Sequence, residues 1–124
     1  MGTWSHGNFD DDTSADHLSI LTSQLVKEVE DAMADPADLE PDEYWGCAVP
    51  CNLELLTLIA RQGWVGVAFP AADIAKAWKQ TYLRVWDDNI DGLEPKPEYK
   101  RLRREVLVKT FDNLIEEAVR READ

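Results

Sequence analysis

The sequence predicts an all-α fold, a single helical domain over residues 1–124 in which four to five helices pack around a buried central one, with no substantial sheet. Three observations carry that prediction. The stretch Cys47–Ala60, CAVPCNLELLTLIA, has Glu54 as its only charge. Apolar residues fall on every side of the helix it would form, as in a helix inside a bundle. The flanking segments are one-sided instead, with apolar residues recurring every three or four positions. Finally, 124 residues with 44% apolar content and five Trp suffice for one core that buries about two thirds of the unfolded surface.

Taken in order, residues 1–12 (MGTWSHGNFDDD) are punctuated by glycine yet carry Trp4 and Phe9. Two aromatic side chains are expected to tie this opening against the core. Asp10, Asp11 and Asp12 lead into a helix, where carboxylates are favoured by the partial positive charge of the free amides. Thr13 with Asp16 resembles a capping box. The first helix is expected over residues 14–34, with Leu18, Leu21, Leu25, Val29 and Ala32 on one face, and Asp35-Pro36 stops it. Residues 37–41 form an acidic link.

Pro50 conflicts with a helix running through it, because an interior Pro lacks the N–H and costs about 3 kcal/mol. Either a helix starts near Pro50 or one longer helix kinks there, and the favoured form is a short turn over residues 42–48 followed by a helix over 50–62. Residues 63–70 (GWVGVAFP) are apolar and twice broken by Gly. A lone strand would have no partner there, so an extended buried loop is expected. A third helix over 72–86 turns Ile74, Trp78, Tyr82, Val85 and Trp86 inward. The fourth, over 98–121, places Leu107, Phe111, Leu114 and Ala118 on a stripe flanked by Val108, Ile115 and Val119. Trp45, Trp64, Trp78 and Trp86 are expected mostly in the core.

The net charge of −12 is unevenly placed. Up to Gln62 there are 13 acidic residues against Lys27 and Arg61, a net of −11, whereas the remainder carries 12 acidic and 11 basic residues. Nucleic-acid binding through phosphates requires a basic surface and is not expected. An acidic face favours a basic protein partner, and Asp35, Asp38, Glu40, Asp42 and Glu43 are the candidate contacts. Two Cys are too few for a disulfide scaffold. No positively charged apolar leader opens the chain, and no uncharged run reaches the roughly 18 residues of a membrane span. A cytoplasmic protein with no membrane partner is expected, and a homo-oligomer remains compatible with it.

Asp87–Glu98, DDNIDGLEPKPE, matches the calcium-loop pattern D-x-[DN]-x-[DN]-G-x5-E at Asp87, Asn89, Asp91, Gly92 and Glu98. Hard Ca²⁺ takes six to eight oxygens, and Gly92 permits the sharp turn such loops need. Asp87, Asn89, Asp91 and Glu98 are thus candidate Ca²⁺ ligands. Against this stand Glu94 at a usually aliphatic position, and Pro95 and Pro97 where the exiting helix should begin. The same composition describes a solvated connection between helices, with Pro97 in the first helical turn. Cys47 and Cys51 share a helical face and form a numerical Cys2His2 set with His6 and His17, but zinc ligands come in closer pairs. Buried structural thiols are the expectation. Arg101 and Arg104 are expected to pair with the acidic half. No nucleophile motif or phosphate loop is present, so no catalytic residue is assigned, and an enzyme using carboxylates remains only an alternative.

The opening MGTWSHGNFDDDTSADHL resembles the start of a bacterial domain-of-unknown-function family (forty-two fifty-nine), whose members begin Met-Gly-x-Trp-x-x-Gly-x-Phe-Asp-x-Asp. The matching positions are Met1, Gly2, Trp4, Gly7, Phe9, Asp10 and Asp12. Ser5 and Asp11 depart from the residues common there. The resemblance implies a small, mostly helical, cytosolic bacterial protein and supplies no activity and no site residue. The functional expectation is a non-catalytic acidic protein-interaction module, in immunity- or antitoxin-like form against a basic toxin, with a calcium-binding helical domain as the alternative.

Overall fold

The computed structural model describes residues 2–123 and is built from four helices: α1 (Asp12–Met33), α2 (Tyr44–Ala60), α3 (Ala72–Asn89) and α4 (Pro97–Ala123). Short 3-10 turns at Pro36–Leu39 and Ile90–Leu93 follow α1 and α3. Among the described residues the only β pairing is an isolated antiparallel bridge between Thr3 and Asp11. The chain is all-α, as its periodicities predict.

The opening folds back on itself through its backbone. The Trp4 N–H donates to Asp10 O and the Asp12 N–H to Gly2 O, both at 2.7 Å. Phe9 stacks on Trp64 with ring centroids 4.1 Å apart, whereas Trp4 stays half exposed. One of the two expected anchors is therefore seated. Met1, the first residue of the opening motif, lies outside the described residues.

α1 begins two residues earlier than its periodicity suggests because Asp11, not Thr13, caps it. The Asp11 carboxylate accepts the Ser14 N–H at 2.7 Å and the Ser14 hydroxyl at 2.9 Å, satisfying a donor that the helix cannot. Leu18, Val29 and Ala32 face the core as expected, but Leu21 is exposed and Thr22 is fully buried. The Thr22 hydroxyl donates to Leu18 O at 2.8 Å and accepts the Ala68 N–H at 2.9 Å. A polar residue is tolerated in the core there because both of its roles are used.

That second bond fixes the connection from α2 to α3. Residues 63–71 form a loop, as expected, with turns at Gly63 and at Val65–Gly66 and no regular structure over 67–71; it is mostly half-buried rather than buried, with Gly63, Val65 and Ala71 exposed. Gly66 has φ +102°, and a Cβ there would lie 2.3 Å from Ala15 O, so only glycine permits this approach to α1. α3 has no side-chain cap of its own; the Glu122 carboxylate of α4 accepts the Ala72 N–H at 2.8 Å.

α2 is the hub, packing against α1, α4 and the Pro36–Leu39 turn, while α3 packs chiefly on α4. Val49, Leu53 and Leu56 of α2 meet Trp78, Tyr82 and Trp86 of α3 and Leu107, Phe111 and Leu114 of α4 in one cluster. Each such side chain contributes about 1.5–3 kcal/mol by leaving water. One side of α2 is open, with Cys47, Cys51, Glu54, Leu55 and Leu58 exposed. The two thiols are thus free and accessible, a correction to the expectation that they are buried. Among the described residues, no helix is long and apolar enough to cross a membrane.

Candidate functional site

α2 does not begin near Pro50; it starts at Tyr44 and runs through the proline. Pro50 has no N–H to donate to Gly46 O, four residues back, so a buried carbonyl would be left without its helical partner. The Tyr82 hydroxyl of α3 donates to that carbonyl instead. Burial pushes the Tyr82 phenol well above its ordinary value, with the Arg103 charge pulling the other way. Gly46 is required for a separate reason: a Cβ there would lie 2.0 Å from Glu40 O. Pro50, Gly46 and Tyr82 together let α2 start six residues earlier, pressed under the acidic link.

The link is consequently held at its end by hydrogen bonds and one buried side chain. Asp35 caps the 3-10 turn by accepting the Ala37 N–H at 3.3 Å, Leu39 is fully buried, and the Glu43 N–H donates to Glu40 O at 2.9 Å. This geometry brings Glu40, Asp42 and Glu43 together, with carboxylate oxygens all within 4.8 Å of one another. Asp35 and Asp38 are exposed on the same segment but outside that group. None of the five takes part in an ion pair among the described residues. Like charges about 4 Å apart repel by about 1 kcal/mol even in water, so the trio favours an incoming cation.

The basic residues of the second half do not relieve it. Arg104 grips Asp87 with two bonds of 2.9 Å, Lys100 reaches Asp91 at 2.7 Å, Lys79 reaches Asp112 at 2.6 Å, and Arg101 meets Glu105 at 3.4 Å. Arg101 and Arg104 were expected to face the acidic half; both pair within their own half instead.

The four calcium-pattern residues are not brought together. Asp87 and Asn89 lie within the last turn of α3, Asp91 in the turn that follows, and Glu98 in the first turn of α4. The Asn89 amide donates to Val85 O at 2.7 Å. The Arg104 hydrogen bonds hold the Asp87 carboxyl below its ordinary range. Here α3 continues through Asp87 and Asn89, and in this structure Arg104 and Lys100 pair with Asp87 and Asp91. The set Cys47, Cys51, His6 and His17 is likewise not gathered into a metal-sized group among the described residues.

Beside the acidic link lies a cleft of about 450 Å³ that the sequence does not announce. Pro41, Cys47, Tyr82, Trp86, Tyr99 and Arg103 are among its lining residues, drawn from the link and from α2, α3 and α4. No local signal marks it, since its walls come from the link, from α2, α3 and α4, and from the connection between α3 and α4.

Comparisons with protein-family models, with curated proteins and with solved structures find no match to this chain. Function must be argued from the geometry above.

Proposed function

We propose that this chain is a non-catalytic, cytoplasmic binding module that captures a basic protein through Asp35, Asp38, Glu40, Asp42 and Glu43. Neutralisation of a basic toxin, as immunity proteins and antitoxins do, is the concrete form of that role. The opening's resemblance to a bacterial family of small helical proteins is compatible with such a role but carries none of it. The supporting observation is the convergence of Glu40, Asp42 and Glu43 on a link held by hydrogen bonds, with no cation from this chain among the described residues to neutralise them. A partner that presents Lys or Arg there gains charge-assisted hydrogen bonds and removes the mutual repulsion.

The test compares the proteins retained from a bacterial lysate by the wild-type chain and by a variant with all five positions changed to Asn or Gln. Basic proteins should be held by the wild type, released by salt, and lost by the variant. A variant that holds every partner as well as the wild type does would sink the proposal.

A further inference from the structure

The cleft beside the acidic link has a floor and a charge of opposite character to that link. Its floor is apolar and aromatic: Trp86 and Tyr82 are buried, and Ile90 continues the floor toward the connection between α3 and α4. Leu93 and Tyr99 stand half exposed at its rim. The wall on the α4 side carries Arg103, which is half-buried and makes no ion pair or hydrogen bond among the described residues. That is notable beside its neighbours, because Lys100, Arg101 and Arg104 are all engaged. A volume of about 450 Å³ falls within the range of small-molecule sites, which join an apolar lining to a few convergent polar groups.

We propose that this cleft binds a small organic carboxylate with an aromatic or similarly apolar body. The body lies against the accessible Leu93 and Tyr99, above the buried Trp86 and Ile90, and the carboxylate meets the Arg103 guanidinium, whose planar fork matches two carboxylate oxygens. A single cation suits a monoanion rather than a phosphate ester with two charges. The Tyr82 hydroxyl is occupied by Gly46 O, so Arg103 is the group that selects charge. Pro41 lines the same cleft, and its neighbours in sequence, Glu40 and Asp42, carry charge that opposes an anion. Their effect on a bound carboxylate is screened over about 8 Å at physiological salt, while Arg103 acts at contact.

The test titrates the full chain with phenylacetate, its neutral analogue phenylacetamide and the cation benzylammonium, by calorimetry and by Trp emission. Phenylacetate should saturate and bind about tenfold or more tightly than the amide, in keeping with a charge-assisted hydrogen bond. Arg103→Gln should erase that preference, leaving acid and amide equally weak. Leu93→Trp, which narrows the rim, should weaken both. Circular dichroism melting of each variant confirms that it is folded. Equal binding of acid and amide to the wild type overturns the proposal, as does a carboxylate preference that survives Arg103→Gln. Tighter binding of benzylammonium would show that the acidic trio governs the cleft, and no saturation at millimolar phenylacetate would show that it takes no such ligand. Changing Asp42 and Glu43 to their amides separates this site from the acidic face, because it should abolish capture of a basic protein and leave phenylacetate binding equal or tighter.

Discussion

Pro50 removes one donor from the middle of α2, and Tyr82 returns it from α3. Removing the hydroxyl by Tyr82→Phe leaves the buried Gly46 carbonyl with neither partner, at a cost of about 1–3 kcal/mol. In a Pro50→Ala background the helix supplies its own N–H, so the same substitution should cost much less there. Denaturant unfolding of the two single variants and the double variant forms the cycle that measures this coupling. An equal cost of Tyr82→Phe in both backgrounds would mean that the hydroxyl does not substitute for the missing amide. At the same scale, Thr22 shows why a polar residue occupies a position that helical spacing near Leu21 assigns to leucine. Its hydroxyl bonds within α1 and also fixes the loop at Ala68, a requirement that no hydrophobic side chain meets.

Among the elements, the connection from α3 to α4 is held by charge. Asp87 and Arg104 form a two-pronged pair across it, and Lys100 reaches back to Asp91. A calcium ion would have to displace both cations before it found ligands. Because the Arg104 hydrogen bonds hold Asp87 below its ordinary range, the unfolded chain takes up this proton at a higher pH than the folded one. The stability from the pair is therefore full above about pH 5 and is lost as pH falls through the lower, folded value. Both side chains are 43% exposed, so the contribution at neutral pH is that of a screened surface pair, about 0.2–1 kcal/mol. Urea unfolding of wild type and Asp87→Asn should show that difference at pH 7 and its decline as the solution is made acid. A difference that persists in acid would assign the effect of the substitution to something other than the ion pair.

Over the whole molecule, charge is segregated rather than cancelled. In the second half Lys79, Lys100, Arg101, Arg104 and Arg120 pair with acids of that same half, and the first half has one ion pair among the described residues, Lys27 with Asp31 on an exposed face. The acidic surplus up to Gln62 is therefore left to solvent and partners. For any basic protein captured through the Asp35–Glu43 face, the association rate should fall as ionic strength rises from about 0.05 to 0.5 M while the dissociation rate changes less, because screening acts on the long-range approach. Stopped-flow mixing at several salt concentrations measures both rates. A salt-independent association rate would assign recognition to the apolar surface instead, where Leu55 and Leu58 of α2 and Leu102 and Val106 of α4 stand half exposed.

What the sequence by itself determined is what depends on neighbours along the chain. The stripe Leu107, Phe111, Leu114 and Ala118 is buried as its spacing requires. Asp35-Pro36 follows the end of α1, Pro97 opens α4, and the acidic half is evident from a count of residues. Periodicity, caps and composition are local quantities, and they sufficed for the fold class. The tertiary structure decided whatever depends on partners distant in sequence. Pro50 sits inside α2 because the bond it denies to Gly46 O is made by the Tyr82 hydroxyl, 36 positions after that glycine. Cys47 and Cys51 are exposed because α1, α4 and the first turn cover only part of the circumference of α2. The calcium pattern is a matter of residue types along the chain, whereas the fold decides that α3 continues to Asn89 and that Arg104 and Lys100 reach Asp87 and Asp91. The cleft with Arg103 in its wall exists only where the link and three helices meet. A buried polar group takes whichever donor the fold brings within reach, and that choice is made in three dimensions.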